Sequence, residues 1–65
     1  MTNKEIKNAL FSGCQVEHDG IIYKCVSAII YRMQGNKLII SAELLDKNCN
    51  SSSIVDAQRV KEVTI

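Results

Sequence analysis

Residues 21 to 45, IIYKCVSAIIYRMQGNKLIISAELL, decide the fold. Apolar residues recur at nearly every second position on both sides of Gly35-Asn36, which is the period of a half-buried strand. Gly-Asn suits a two-residue type II′ turn, because the first central residue must take positive φ. The stretch therefore reads as two long antiparallel strands. A two-residue loop sets Met33 opposite Leu38, Tyr31 opposite Ile40, Ile29 opposite Ala42 and Ser27 opposite Leu44.

Upstream, Asp19-Gly20 is a strong type I′ hairpin signal, and it pairs His18 with Ile21, Val16 with Tyr23 and Cys14 with Cys25. Both registers select the same inner face: Val16, Tyr23, Cys25, Ile29, Tyr31, Met33, Leu38, Ile40, Ala42 and Leu44. A slip of one residue in either hairpin would destroy that agreement, so a three-stranded meander is expected. Extending the second ladder would oppose Cys25 to Asp46 and Lys24 to Lys47. The ladder is therefore expected to stop or bulge near Ser27 or Leu45. A strand from Ile21 to Met33 is about twice the usual length, and such strands bend to serve two sheets. Ser27-Ala28 is the expected corner.

Before the meander, Thr2 and Glu5 form a T-x-x-E capping box, with Met1 and Ile6 at the positions of a hydrophobic staple. A helix should start at Asn3 and end at Gly13. Ile6, Ala9 and Leu10 share one face, with Phe11 beside it. A helix this short needs a docking surface. After the meander, residues 46 to 53, DKNCNSSS, read as a polar loop, Ser53 to Val55 as a strand, Asp56 to Arg59 as a single turn capped by Asp56, and Val60 to Ile65 as a last strand. A continuous helix from Asp56 to Val63 competes with the last two elements, since its residues favour helix.

The succession of helix, meander, short strand, 3-10 turn and last strand resembles the small SH3-like barrel. It implies a mainly β chain with one N-terminal helix and a five-stranded barrel on an antiparallel meander core. The expected organisation is one domain, 1–65, with the helix in 1–13 and the barrel in 14–65. The segments Gly20-Ile21-Ile22-Tyr23-Lys24, Ala28-Ile29-Ile30-Tyr31-Arg32 and Ala42-Glu43-Leu44-Leu45-Asp46 resemble short uncharacterised reading frames of prophages and conjugative transposons of Gram-positive bacteria. That resemblance implies an accessory protein of a mobile genetic element and carries no established activity.

Sixty-five residues bury only about 60% of the surface that the unfolded chain exposes, so self-association is a natural source of extra burial. With 46% hydrophobic and 23% charged residues the composition is that of a folded chain, and a net charge of +1 supplies no general pull toward nucleic acid or acidic membranes. No apolar run is long enough to span a bilayer and the N-terminus lacks a secretory signal, so the expected location is cytoplasmic, with Cys14, Cys25 and Cys49 reduced.

No cofactor or metal is expected. Cys14, Cys25, Cys49 and His18 are ligand types for zinc, but no C-x-x-C or H-x-x-H spacing is present, and His18 lies about 13 Å along the strand from Cys14. No catalytic constellation is legible either. His18 is flanked by Glu17 and Asp19, and adjacent strand residues point to opposite faces. The expectation is a protein that is not an enzyme.

Two surfaces remain. The outer face of the meander carries Ile22, Val26, Ile30, Ile39 and Leu45 beside Lys24, Arg32, Ser41 and Glu43, where a half-exposed sheet would ordinarily be polar. Either the helix covers this stripe with Ile6, Leu10 and Phe11, or the stripe is a contact surface for a protein partner or a second copy, built from Val26, Ile30, Ile39 and Leu45 with Arg32 and Glu43 giving polar specificity. The alternative partner is nucleic acid, held by Lys24, Arg32, Lys37, Lys47, Arg59 and Lys61 with Tyr23 or Tyr31 stacking on bases. Both tyrosines fall on the inner face, and the basic residues alternate with Glu17, Glu43, Asp46 and Glu62.

Overall fold

In a computed structural model, which describes residues 1–63, the chain is mainly β with one N-terminal helix. The helix α1 (Asn3–Ser12) is followed by β1 (Val16–His18), β2 (Ile21–Tyr23), β3 (Cys25–Gln34), β4 (Lys37–Leu45), β5 (Ser52–Asp56), a 3-10 turn (Ala57–Arg59) and β6 (Lys61–Glu62). The strands form two antiparallel three-stranded sheets, ordered β2-β1-β6 and β3-β4-β5. Among the described residues the expected five strands are thus six, and they do not close into a barrel.

The helix begins as its sequence dictates. Thr2 Oγ1 accepts from the Glu5 amide at 3.2 Å, and Glu5 Oε1 accepts from the Thr2 amide at 2.9 Å, so two otherwise unpartnered N–H groups are satisfied. Gly13 ends it at φ 70°, donating to the Ala9 carbonyl at 3.1 Å. The Met1 amine donates to the carbonyls of Ala57 and Val60 at 3.1 and 2.9 Å, which ties the start of α1 to the turn before β6.

Both hairpins have the expected turns. Asp19 and Gly20 take φ 51° and 79°, and Gly35 takes φ 64°. The registers Val16 with Tyr23 and His18 with Ile21 are observed, as are Met33 with Leu38, Tyr31 with Ile40 and Ile29 with Ala42. Ser27 then bulges out, so that Val26 rather than Ser27 faces Leu44, and Cys25 faces Leu45. The physical reason is polarity. Without the bulge a serine hydroxyl would enter the core opposite Leu44, at about 1–3 kcal/mol if unpartnered, and Val26 would lie outside. With it, Ser27 Oγ donates to Glu43 Oε1 at 2.7 Å and Val26 is 2% exposed.

The bend lies three residues earlier than expected. The long strand passes from one sheet to the other at Lys24, whose amide donates to the Leu45 carbonyl at 2.8 Å, and Ser27-Ala28 marks the bulge instead of a corner. Cys14 does not meet Cys25, because β1 starts at Val16 and Cys25 belongs to the other sheet.

The core gathers Ile6 and Ala9 of α1, Val16, Val26, Ala42, Leu44, Ala57 and Val60, flanked by the half-buried Met1, Leu10, Tyr23, Ile29, Ile40 and Val55. The helix therefore docks on the inner face of the meander, among the residues that both registers select. It does not cover the outer stripe, and Phe11 is 86% exposed. Tyr31, Met33 and Leu38 are on the inner face but exposed, since the distal end of the β3–β4 hairpin runs past the core. There the last tie to α1 is the Tyr31 hydroxyl, which donates to Asn3 Oδ1 at 2.7 Å. After β5 a turn and a strand are found in place of the competing helix; of the expected strand from Val60 to Ile65 only Lys61 and Glu62 pair, Val60 caps the turn, Val63 is outside the strand, and Thr64 and Ile65 lie outside the described residues.

Candidate interaction surface

Directly paired residues of neighbouring strands share a face, so the registers define the outer surface of the β3-β4-β5 sheet row by row. Cys25, Leu45 and Ser52 form one row, Ala28, Glu43 and Ile54 the next, then Ile30, Ser41 and Asp56, then Arg32 and Ile39, and last Gln34 and Lys37 at the tip. The helix and the other sheet both contribute to the core on the opposite side. This face is left with Ile30, Ile39 and Leu45 half-buried among their own neighbours and with Ile54 63% exposed.

Five of the six residues expected in this surface, Ile30, Arg32, Ile39, Glu43 and Leu45, lie on it together. Val26 does not. The bulge turns it inward, and in the folded protein it has no surface to offer. Ile54 belongs to the face without being among the expected residues, because the short segment Ser53 to Val55 has no register of its own until it pairs with β4. The signal for it is the alternation of Ile54 with Val55, which is half-buried against the core while Ile54 is not.

The charged members form no ion pair among the described residues. Among the described residues the single ion pair is His18 with Asp19 at 3.7 Å, so Arg32 and Glu43 find no charged partner there. Glu43 is positioned by its hydrogen bond from Ser27, and Arg32 is exposed.

The residues expected to hold nucleic acid are all exposed but dispersed. Lys37 is at the tip of the β3–β4 hairpin, and the length of β3 puts it about 30 Å from Lys24 at the other end. Lys61 is paired with Glu17 and followed by Glu62 in β6, and Arg59 sits in the 3-10 turn. Lys24 donates to Cys49 Sγ at 3.1 Å, a hydrogen bond that raises the lysine above its usual pKa. Tyr23 is half-buried against the core and offers no free ring for stacking.

No other group of side chains assembles chemistry among the described residues. No three of their His, Cys, Asp or Glu side chains form a group able to hold a metal ion, and no helix among them is long and apolar enough to cross a membrane. A groove of about 340 Å³ runs between Met1–Asn3, the β4 edge at Lys37–Ile40 and Asp56–Gln58, and Lys37 and Asp56 form no ion pair across it. No family model matches the chain, and neither the curated proteins nor the solved structures give a match.

Proposed function

We propose that this chain is a non-enzymatic protein-interaction module, an accessory protein of a mobile genetic element, that binds a partner or a second copy of itself through the outer face of the β3-β4-β5 sheet. The observation that carries the reading is the helix on the inner face, which leaves Ile30, Ile39, Leu45 and Ile54 without a covering layer among the described residues. Apolar side chains left on an open sheet face, here interspersed with Glu43 and Ser41 of the central strand, ordinarily mark a contact site. We read the architecture as an open SH3-like arrangement. The division of one long strand between two sheets at Lys24 and the 3-10 turn before β6 support that reading.

Ile30→Asp and Ile39→Asp test it. Both side chains point away from the core, so each variant should keep the far-UV circular dichroism of the wild type and a cooperative melt, lowered by a few degrees, while losing self-association and partner capture. Retention of both binding properties would refute the assignment. Nucleic-acid binding through Lys24, Arg32, Lys37, Lys47, Arg59 and Lys61 is the weaker reading, because these residues form no continuous basic track. It predicts oligonucleotide affinity that falls steeply with salt.

A further inference from the structure

We infer that the occupant of this face is a second copy of the chain, related by a two-fold axis over the Ile30–Ser41 pair. The inference rests on the interaction-surface reading and names its partner. Its basis is self-complementarity in the sheet's own lattice. Arg32 and Glu43 are on adjacent strands, two residues to either side of the Ile30–Ser41 row, so that row lies midway between them. With a rise of about 3.3 Å per residue and strands about 4.8 Å apart, the two are separated by roughly 14 Å.

A two-fold axis lying between two such faces, perpendicular to the line from Arg32 to Glu43, brings each Arg32 over the Glu43 of the other copy. The same operation sets Ile30 against Ile30 and carries Ile39 to the neighbourhood of Ile54. Opposite charges thus meet at both ends and Ile30 and Ser41 at the centre, while at the β5 edge each Asp56, whose carboxylate accepts from the Gln58 amide at 3.0 Å, comes near its own mate. The two sheets cross at about 40° in this arrangement, near the angle at which aligned sheets pack.

Three features fit this occupant. Arg32 and Glu43 have no ion-pair partner among the described residues, so the association breaks no pair there. Ile54, an exposed apolar residue on a short edge strand, acquires a counterpart in Ile39. Among the described residues the core contains three alanines in eight buried side chains, so a chain of this length has reason to gain burial from outside itself. The area limits the strength. A face nine residues long on β3 and β4 and five on β5 covers roughly 350 Å², or about 700 Å² over both copies, which is the low end, where association is weak and concentration-dependent.

Charge exchange is the test. In Arg32→Glu both ends of the interface oppose two carboxylates, and in Glu43→Arg both oppose two guanidinium groups, so each variant alone should dimerise at least ~10-fold more weakly than wild type. When the two variants are mixed, the carboxylates of the first face the guanidinium groups of the second, one opposite-charge pair at each end. The mixture should therefore recover most of the lost affinity as a heterodimer, read by sedimentation equilibrium between ~1 µM and ~1 mM protein. A wild type that stays monomeric throughout, or a mixture no tighter than its components, overturns the inference. Ile30→Asp keeps that failure distinct from failure of the surface reading. If it abolishes a dimer whose charge variants show no rescue on mixing, the face stands and the two-fold arrangement falls; if it dimerises like wild type, the face itself is wrong.

Discussion

Ser27 shows how much one residue controls. By leaving the ladder it reverses the facing of everything before it on β3, so that Val26 enters the core and Cys25 lies beside Leu45. Val26→Ala should then cost about 2 kcal/mol in urea-induced unfolding, the lost transfer energy of two methyl groups plus a small cavity. Ile30→Ala, on the other face, should cost less than about 1 kcal/mol. Equal losses at the two positions would contradict the bulge. The uninterrupted alternation of the sequence puts Val26 and Ile30 on the same outer face and implies similar, small losses at both. The charge clash further along the ladder predicts a bulge near Ser27, but alternation alone does not say at which residue the shift falls. The polarity of Ser27 against Leu44 is the signal that does, because only one of two adjacent residues can fill that inner position and Val26 is the apolar one.

For the helix, the capping box makes a pH-dependent contribution. The hydrogen bonds from Thr2, the backbone one foremost, hold the Glu5 carboxyl below its ordinary value of 4.5. A carboxyl with a lowered folded-state pKa adds stability above the unfolded value, and that stability is lost as pH falls through the folded one. Glu5→Gln, which does not titrate, should therefore flatten the acid side of the melting-temperature profile, and Thr2→Ala should remove about 1 kcal/mol near neutral pH. Ile6→Ala should cost about 3 kcal/mol, whereas Phe11→Ala, for a side chain that is 86% exposed, should be nearly silent in thermal melts. The helix bounds, both turns and most of the pairing are legible in the sequence because each follows from local rules. The face on which the helix docks is not. Both faces of the meander are apolar, and the choice depends on size: β1, β2 and β6 are too short to cover β3 and β4 alone, so Ile6 and Ala9 complete the inner layer.

The molecule measures 37 × 23 × 21 Å, and its length comes from the β3–β4 hairpin projecting beyond the core. β5 ends opposite Ser41, so residues 37–40 of β4 are paired on one side only, and Tyr31, Met33 and Leu38 are exposed there. This geometry sets a gradient of opening along a single pair of strands. Amide protons near Gly35 should exchange with deuterated solvent through local fraying, at rates governed by a two-stranded ribbon with few packed neighbours. Those around Val26 and Leu44 should wait for the whole molecule to unfold and carry its full free energy. Exchange rates read residue by residue should therefore fall by orders of magnitude from the tip of the hairpin to its base, making β3 a graded record of how stability is distributed in this fold.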